Sequence, residues 1–204
     1  MALLLILSLS AAAVLRNAVS SERYARNLRQ QQMAQQQAEL ALRYCEAELR
    51  KPDGSESGLP PGVVLREPAL AEARLTRVAW DALPAWSQPA HWAGMGGAGT
   101  VGTARVVLPP DQAAWPAAGL SPGRPPECLV ELQELADGAL VHVVTARGYS
   151  PAYPTGPDLS PGTVPAGGAV VWLQSTLLLG EPAVTGERPI LDRLWRRILH
   201  PPLP

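Results

Sequence analysis

Not one Gly or Pro occurs before Pro52, although the 204-residue chain holds 22 Pro and 18 Gly. Gly costs a helix interior about 1 kcal/mol and Pro about 3 kcal/mol relative to Ala, so a leading quarter free of both predicts one long helix. At 1.5 Å per residue such a helix, about 50 residues, is on the order of 75 Å long, far beyond what one globular core can cover. All the breakers fall in the remainder, where Gly and Pro together reach about 26 %, a level that favours short elements separated by loops. The chain therefore divides into a rod and a head.

The rod changes character along its length. The segment MALLLILSLSAAAVL carries no charge before Arg16. As a helix it rises about 22 Å, short of the hydrocarbon core of about 30 Å. Two readings account for it. One is a secretory signal peptide, with Ala11, Ala12 and Ala13 as a small-residue cleavage site but no basic n-region before the apolar run. The other is an anchor whose first turns lie upstream of Met1. The middle is polar, with Gln30, Gln31, Gln32, Gln35, Gln36 and Gln37 around the circumference. From Ala34 onward, Ala34, Ala38, Ala41, Leu42, Cys45 and Leu49 share one stripe, as a helix packed on a core requires. Glu46 and Glu48 read as a solvated face. Pro52 stops the helix, because proline disfavours helix at the residue before it. A coiled-coil linker is the alternative, but Gln at successive seam positions makes a poor zipper.

The head reads as strands. CLVELQEL places Cys128, Val130 and Leu132 on one face and Glu131 and Gln133 on the other, and Asp137-Gly138 predicts a two-residue hairpin turn. LVHVVTARG returns, and GGAVVWLQSTLLL follows after a long loop. EARLTRVAW and ARVVLP are earlier candidates. A half-buried antiparallel sheet needs a cover, which the apolar stripe of the rod can supply. Phe is absent, so six Trp and four Tyr carry the aromatic mass, and Trp80, Trp86 and Trp92 are expected to fill the core. The long irregular stretches 81–103 and 148–167 have the length of functional or mobile loops. After Pro189, the residues Ile190, Leu191, Leu194, Trp195, Ile198 and Leu199 fall on one helical face opposite Asp192, Arg193, Arg196 and Arg197, which predicts a short amphipathic helix.

The two cysteines, Cys45 and Cys128, are too few for a Cys-only zinc site and lack CxxC spacing. They read as one disulfide in an oxidising compartment or as two buried thiols. Cys45 on the inward stripe and Cys128 on the inward row point at the same interface, so a bridge is geometrically reasonable. It would stabilise by about 4 kcal/mol in the chain-entropy model.

A net charge of −1 and a pI near 6.3 give no basic footprint for nucleic acid. Residues 94–99 match G-x-G-x-x-G and residues 119–123 match G-x-S-x-G, but neither lies between a strand and a helix, as those chemistries demand. His91, His142 and His200 have no ligand neighbours at useful spacing. Nothing assembles a nucleophile, a base and an oxyanion site. An enzyme is not expected, and no cofactor or metal.

The run SSERYARNLRQQQMAQQQAELALRYCEAEL resembles the segment after the membrane helix in PilX-type minor pilins of type IV pili. The matching residues are Glu22, Arg23 and Asn27, then Ala34 and Ala38 with Glu39, Ala41, Leu42 and Arg43. VHVVTARGYS, with Arg147 and Gly148, and AVVWLQST, with Gln174 and Ser175, resemble the last strands of that family. Residues 52–127 match nothing in it, and the basic leader ending in Gly that such prepilins carry does not precede the apolar run.

The resemblance implies an α+β, pilin-like fold, with a long N-terminal helix packed against an antiparallel β-sheet. It divides the chain into a membrane and fibre-core helix at 1–21, its continuation as the spine of the head at 22–51, a β-rich head at 52–180, and a tail with a short helix at 181–204. The implied role is a minor pilin that helps start pilus assembly, at or near the tip, with consequences for adhesion and twitching motility. Implied partners are other minor pilins, the major pilin, a tip adhesin and the inner membrane. The implied location is the inner membrane with the head in the periplasm, then the fibre at the cell surface. A minor pseudopilin of a type II secretion system and an anchored periplasmic binding module or enzyme are the alternatives.

Overall fold

A computed structural model describes residues 2–53, 64–93, 104–109, 124–154, 167–184, 186–199 and 201, with 2–13 and 15 as backbone only. The breaker-free quarter forms one continuous helix, α1 (Ala2–Arg50). It ends where Pro52 forbids continuation. The terminal carbonyls, which have no partner within a helix, are met by a residue distant in sequence. Arg66, with its side chain buried, donates from Nη2 to the Leu49 carbonyl at 2.9 Å and to the Lys51 carbonyl at 3.1 Å.

Among the described residues the sheet has six strands: β1 (Thr76–Val78), β2 (Ala104–Val107), β3 (Glu127–Glu134), β4 (Leu140–Tyr149), β5 (Val170–Leu179) and β6 (Ile190–Ile198). Its order is β1-β3-β4-β5-β6, and β2 also pairs with β3. The two short strands share one edge of β3: β2 runs antiparallel along Glu127–Val130, and β1 runs parallel along Glu131–Gln133. The sheet is thus mixed rather than purely antiparallel, and the protein is α+β. Before β1 the described chain makes two 3-10 turns, Pro68–Leu70 and Glu72–Arg74.

The β3–β4 hairpin departs from the two-residue expectation. The Gly138 amide donates to the Leu135 carbonyl, and the Leu135 amide to the Ala139 carbonyl. Three residues therefore form the loop, with Gly138 at φ 82°, the left-handed position a type I turn with a G1 bulge reserves for glycine.

The tail corrects a larger expectation. Residues 190–198 are not a helix but the edge strand β6, antiparallel to β5 from Trp172↔Ile198 to Leu178↔Asp192, with an irregularity at Leu178/Leu179. A tight turn feeds it, in which the Gly186 amide donates to the Ala183 carbonyl and Gly186 sits at φ 80°. Helical periodicity favoured one apolar face, but β5 offered a full row of backbone partners, and tertiary pairing overrides local period. Strand geometry then splits the apolar residues between two faces, so the segment stays exposed.

The core lies between α1 and the sheet. Ala34, Ala38, Ala41, Leu42, Cys45 and Leu49 meet Cys128, Val130, Leu132, Val144, Ala146, Val171, Leu173 and Leu177, all buried. The helical stripe and the Cys128, Val130 and Leu132 row are those that periodicity predicted. Small residues let the two elements come close. At Gly148 a β-carbon would overlap the backbone of Ala34, Gln37 and Ala38, so only glycine fits there.

Candidate functional site

The residues picked out by family resemblance separate into three groups. Glu22, Arg23 and Asn27 are exposed on a projecting stretch of α1 that stays exposed from residue 16 to residue 29. Leu42 is buried on the stripe, Arg43 faces solvent, and Glu39 accepts a hydrogen bond from Gln35 Nε2 at 3.0 Å. Arg147, Gly148, Gln174 and Ser175 are buried in the sheet. The second and third groups meet at the contact of Gly148 with Ala34 and Ala38. The two strand motifs are register neighbours: Thr145 pairs with Gln174, and Gln174 Nε2 donates to Thr145 Oγ1 at 2.8 Å. Glu22, Arg23 and Asn27 are not brought near either.

Cys45 and Cys128 form a disulfide, with Cα atoms 6.5 Å apart and a sequence separation of 83. Both are fully buried. The bridge fastens the inner end of the rod to the strand that carries both short edge strands.

The far face of the sheet holds a polar centre that alternation alone had assigned to solvent. Glu127 is buried and receives Arg105, Arg147, Arg124 (3.4 Å) and the Tyr149 hydroxyl, which donates at 2.6 Å. Burial would raise this carboxyl, but the neighbouring arginines, led by Arg147, together with the Tyr149 hydroxyl, hold it below its ordinary value. The Tyr149 hydroxyl is pushed well above its usual value by burial and by Glu127. The Arg147 guanidinium lies 4.3 Å from the Trp92 ring centre and 5.3 Å from that of Trp172. The two indoles pack edge to face at 4.9 Å. Such stacking suits Arg, whose planar cation is weakly hydrated.

Trp92 belongs to a turn-rich flap, 84–93, that covers this face. It includes the 3-10 turn Ala85–Ser87 and the helical turn α2 (Ala90–Ala93). Trp92 Nε1 donates to the Trp86 carbonyl at 2.8 Å, and the Trp86 amide donates to Glu131 Oε2 at 3.1 Å. Glu131 is fully buried, and burial raises its carboxyl to about 7 against the pull of the Trp86 and Ala85 backbone. Trp92 is thus core, Trp86 half-buried, and Trp80 exposed, so the expectation that all three fill the core holds for one and in part for another.

Two other acids also depart from expectation. Glu46 and Glu48 are buried rather than solvated. Arg193 of β6 reaches Glu46 at 3.0 Å, and Glu48 accepts from the Glu67 amide at 2.9 Å and pairs with Lys51. Sequence reasoning missed Arg66, Glu127 and Arg105. Only Glu127 had a sign available, its register opposite Arg147 in the β3–β4 pair.

Arg105, Arg124, Arg147 and Tyr149 satisfy Glu127, whereas Glu131 Oε1 and Glu46 Oε1 are buried without a hydrogen-bond partner. Among the described residues no group of three His, Cys, Asp or Glu side chains is placed to hold a metal ion. An open cleft of about 650 Å³ at the rod's end is lined by Tyr44, Glu48, Asp53, Arg66 and Arg74, with both signs of charge interspersed. The glycine-rich 94–99 and 119–123 motifs and most of the 148–167 stretch lie outside the described residues. Among the described residues, no helix is long and apolar enough to cross a membrane.

Comparison with protein-family models, with curated proteins and with solved structures finds no match for this chain.

Proposed function

We infer that this chain is a minor pilin that helps initiate type IV pilus assembly, within a membrane-anchored complex of minor pilins that comes to lie at or near the tip. One observation carries the reading: α1 is a single helix with two environments. Its inner end is locked to the sheet by small-residue packing and a disulfide, while residues 16–29 stand exposed beyond the head. A fibre subunit needs that division. The head must hold the rod rigidly, and the rod must offer side chains to neighbouring rods. The apolar run before Arg16 suits exchange from lipid to a helical fibre core with little change in hydrophobic contact. The motif residues Glu22, Arg23 and Asn27 lie on the exposed stretch, free to contact other subunits. The partners of this reading are other minor pilins, the major pilin and a tip adhesin, and no catalytic residue is needed.

The test is the native amino terminus, read by mass spectrometry of envelope and sheared-pilus fractions with the gene at its own locus. A methylated first residue following an encoded Gly establishes prepilin processing. An amino terminus at Val14 identifies a cleaved signal peptide and overturns the reading. Deletion of the gene is expected to remove surface pili and leave protein secretion intact. Loss of secretion with pili intact would instead assign the chain to a type II secretion system.

A further inference from the structure

β6 is hydrogen-bonded to β5 on one side, and among the described residues no strand pairs with its other side. Its nine residues are exposed from Leu191 to Arg197 and half-buried only at the ends. Natural sheet edges are kept short, interrupted by proline, charged, or covered. Among the described residues this edge uses charge alone: it is long, no Pro lies between Pro189 and Pro201, and beside its arginines it carries large apolar side chains. Leu194 is 71 % and Trp195 57 % exposed, with Leu191 and Leu199 beside them. An edge of this kind is a template for a further strand, with the main chain supplying affinity and alternate side chains supplying choice.

The side chains restrict what can dock. Register with β5 puts Arg193, Trp195 and Arg197 on the α1 side and Asp192, Leu194, Arg196 and Ile198 on the other. Three arginines stand against one aspartate. Two are anchored from within, Arg193 by Glu46 at 3.0 Å and Arg196 by Gln174 Oε1 at 2.8 Å. Arg197 has no ion pair among the described residues. A second copy of β6 would bring the same positive excess to the pairing and repel. Opposite charges directly across a strand pair stabilise it, and like charges destabilise it.

We propose that the free edge of β6 is a docking site for an extended segment of another protein, with carboxylates opposite Arg193 and Arg197 and apolar residues opposite Leu194 and Trp195. The site does not depend on the pilus reading, because it follows from the edge and its charge alone.

The test uses the full chain in detergent and three synthetic nine-residue peptides. One has Glu opposite Arg193 and Arg197 and Val or Leu elsewhere, one has Lys in place of Glu, and one is the acidic peptide N-methylated along its pairing edge. Binding is read by fluorescence anisotropy and by amide hydrogen exchange over residues 190–198. The acidic peptide is expected to bind and slow exchange at alternate β6 amides, and the other two to bind at least about tenfold more weakly. Arg197→Glu, at an exposed position, is expected to shift preference toward the Lys peptide. Absence of slowing at peptide concentrations of about 1 mM, or equal binding of the N-methylated peptide, overturns the proposal. Slowing that rises with protein concentration alone also overturns it, and assigns the edge to a second copy.

Discussion

The two faces of this sheet are buried by opposite means. Toward α1 the contact is made of alanines, a glycine, branched aliphatics and a disulfide. Away from it, one carboxylate gathers three arginines, and Arg147 lies against two indoles, one of them supplied by the 84–93 flap. The first kind of contact derives from apolar area and close approach, and its tolerance is set by volume. The second derives from ion pairs and hydrogen bonds gathered on one buried carboxylate, and its tolerance is set by whether the buried charges keep that partner.

The comparison is broken most severely at Gly148. Gly148→Val is expected to cost about 5 kcal/mol or to prevent folding, because the clash is with helix backbone that cannot rotate away. The denaturation midpoint measures it. Next is the bridge: the double variant Cys45→Ala with Cys128→Ala is expected to lose about 4 kcal/mol, seen as a lower midpoint with a larger m value from a more expanded unfolded chain. If reduction leaves the midpoint unchanged, the rod is held by packing alone.

On the far face, Glu127→Gln is expected to cost about 3 kcal/mol, since it leaves buried Arg147 without its counter-ion. Glu127→Leu combined with Arg147→Met should recover part of that loss, because an apolar pair avoids desolvating either charge, while Arg105 and the Tyr149 hydroxyl still lose Glu127. No rescue by an apolar pair exists at Gly148, which is how the two faces are told apart.

The same contrast decides what was legible in the sequence. The helical stripe from Ala34 to Leu49 and the Cys128, Val130, Leu132 row were readable because hydrophobic period and burial agree there. Glu127 and Glu131 were not, because alternation assigns a polar residue to solvent and cannot foresee a flap folding back from residues 84–93. Glu46 was misread for the same reason, since its partner Arg193 sits some 150 positions away. The tail failed differently. The pattern in 190–199 fits a helix of period 3.6, and only the vacant edge of β5, a non-local fact, makes it a strand.

The smallest effect is also the finest separation of the faces, because each buries one group whose titration favours the opposite side of neutrality. His142, on the α1 side, has neither ring nitrogen hydrogen-bonded. Burial, then Arg188 and Arg66, lower its pKa to about 4. The unfolded chain takes up that proton near 6.5, so His142 contributes stability above 6.5 that is lost as pH falls toward 4. Glu131, raised to about 7 by burial, contributes stability below about 4.5 that is lost as pH rises through 7. Between pH 4.5 and 6.5 the two slopes have opposite sign and similar size, near 1.4 kcal/mol per unit at most, so their sum is nearly flat in the wild-type chain. Glu131→Gln removes one slope, and its stability is expected to fall by about 2 kcal/mol from pH 6.5 to 4.5. His142→Leu removes the other, and its stability is expected to rise by a similar amount over the same interval. Denaturant titrations of the three proteins at those two pH values measure both. Parallel behaviour of the two variants would mean that the faces unfold before either group titrates, and that the cancellation is not built into the native packing.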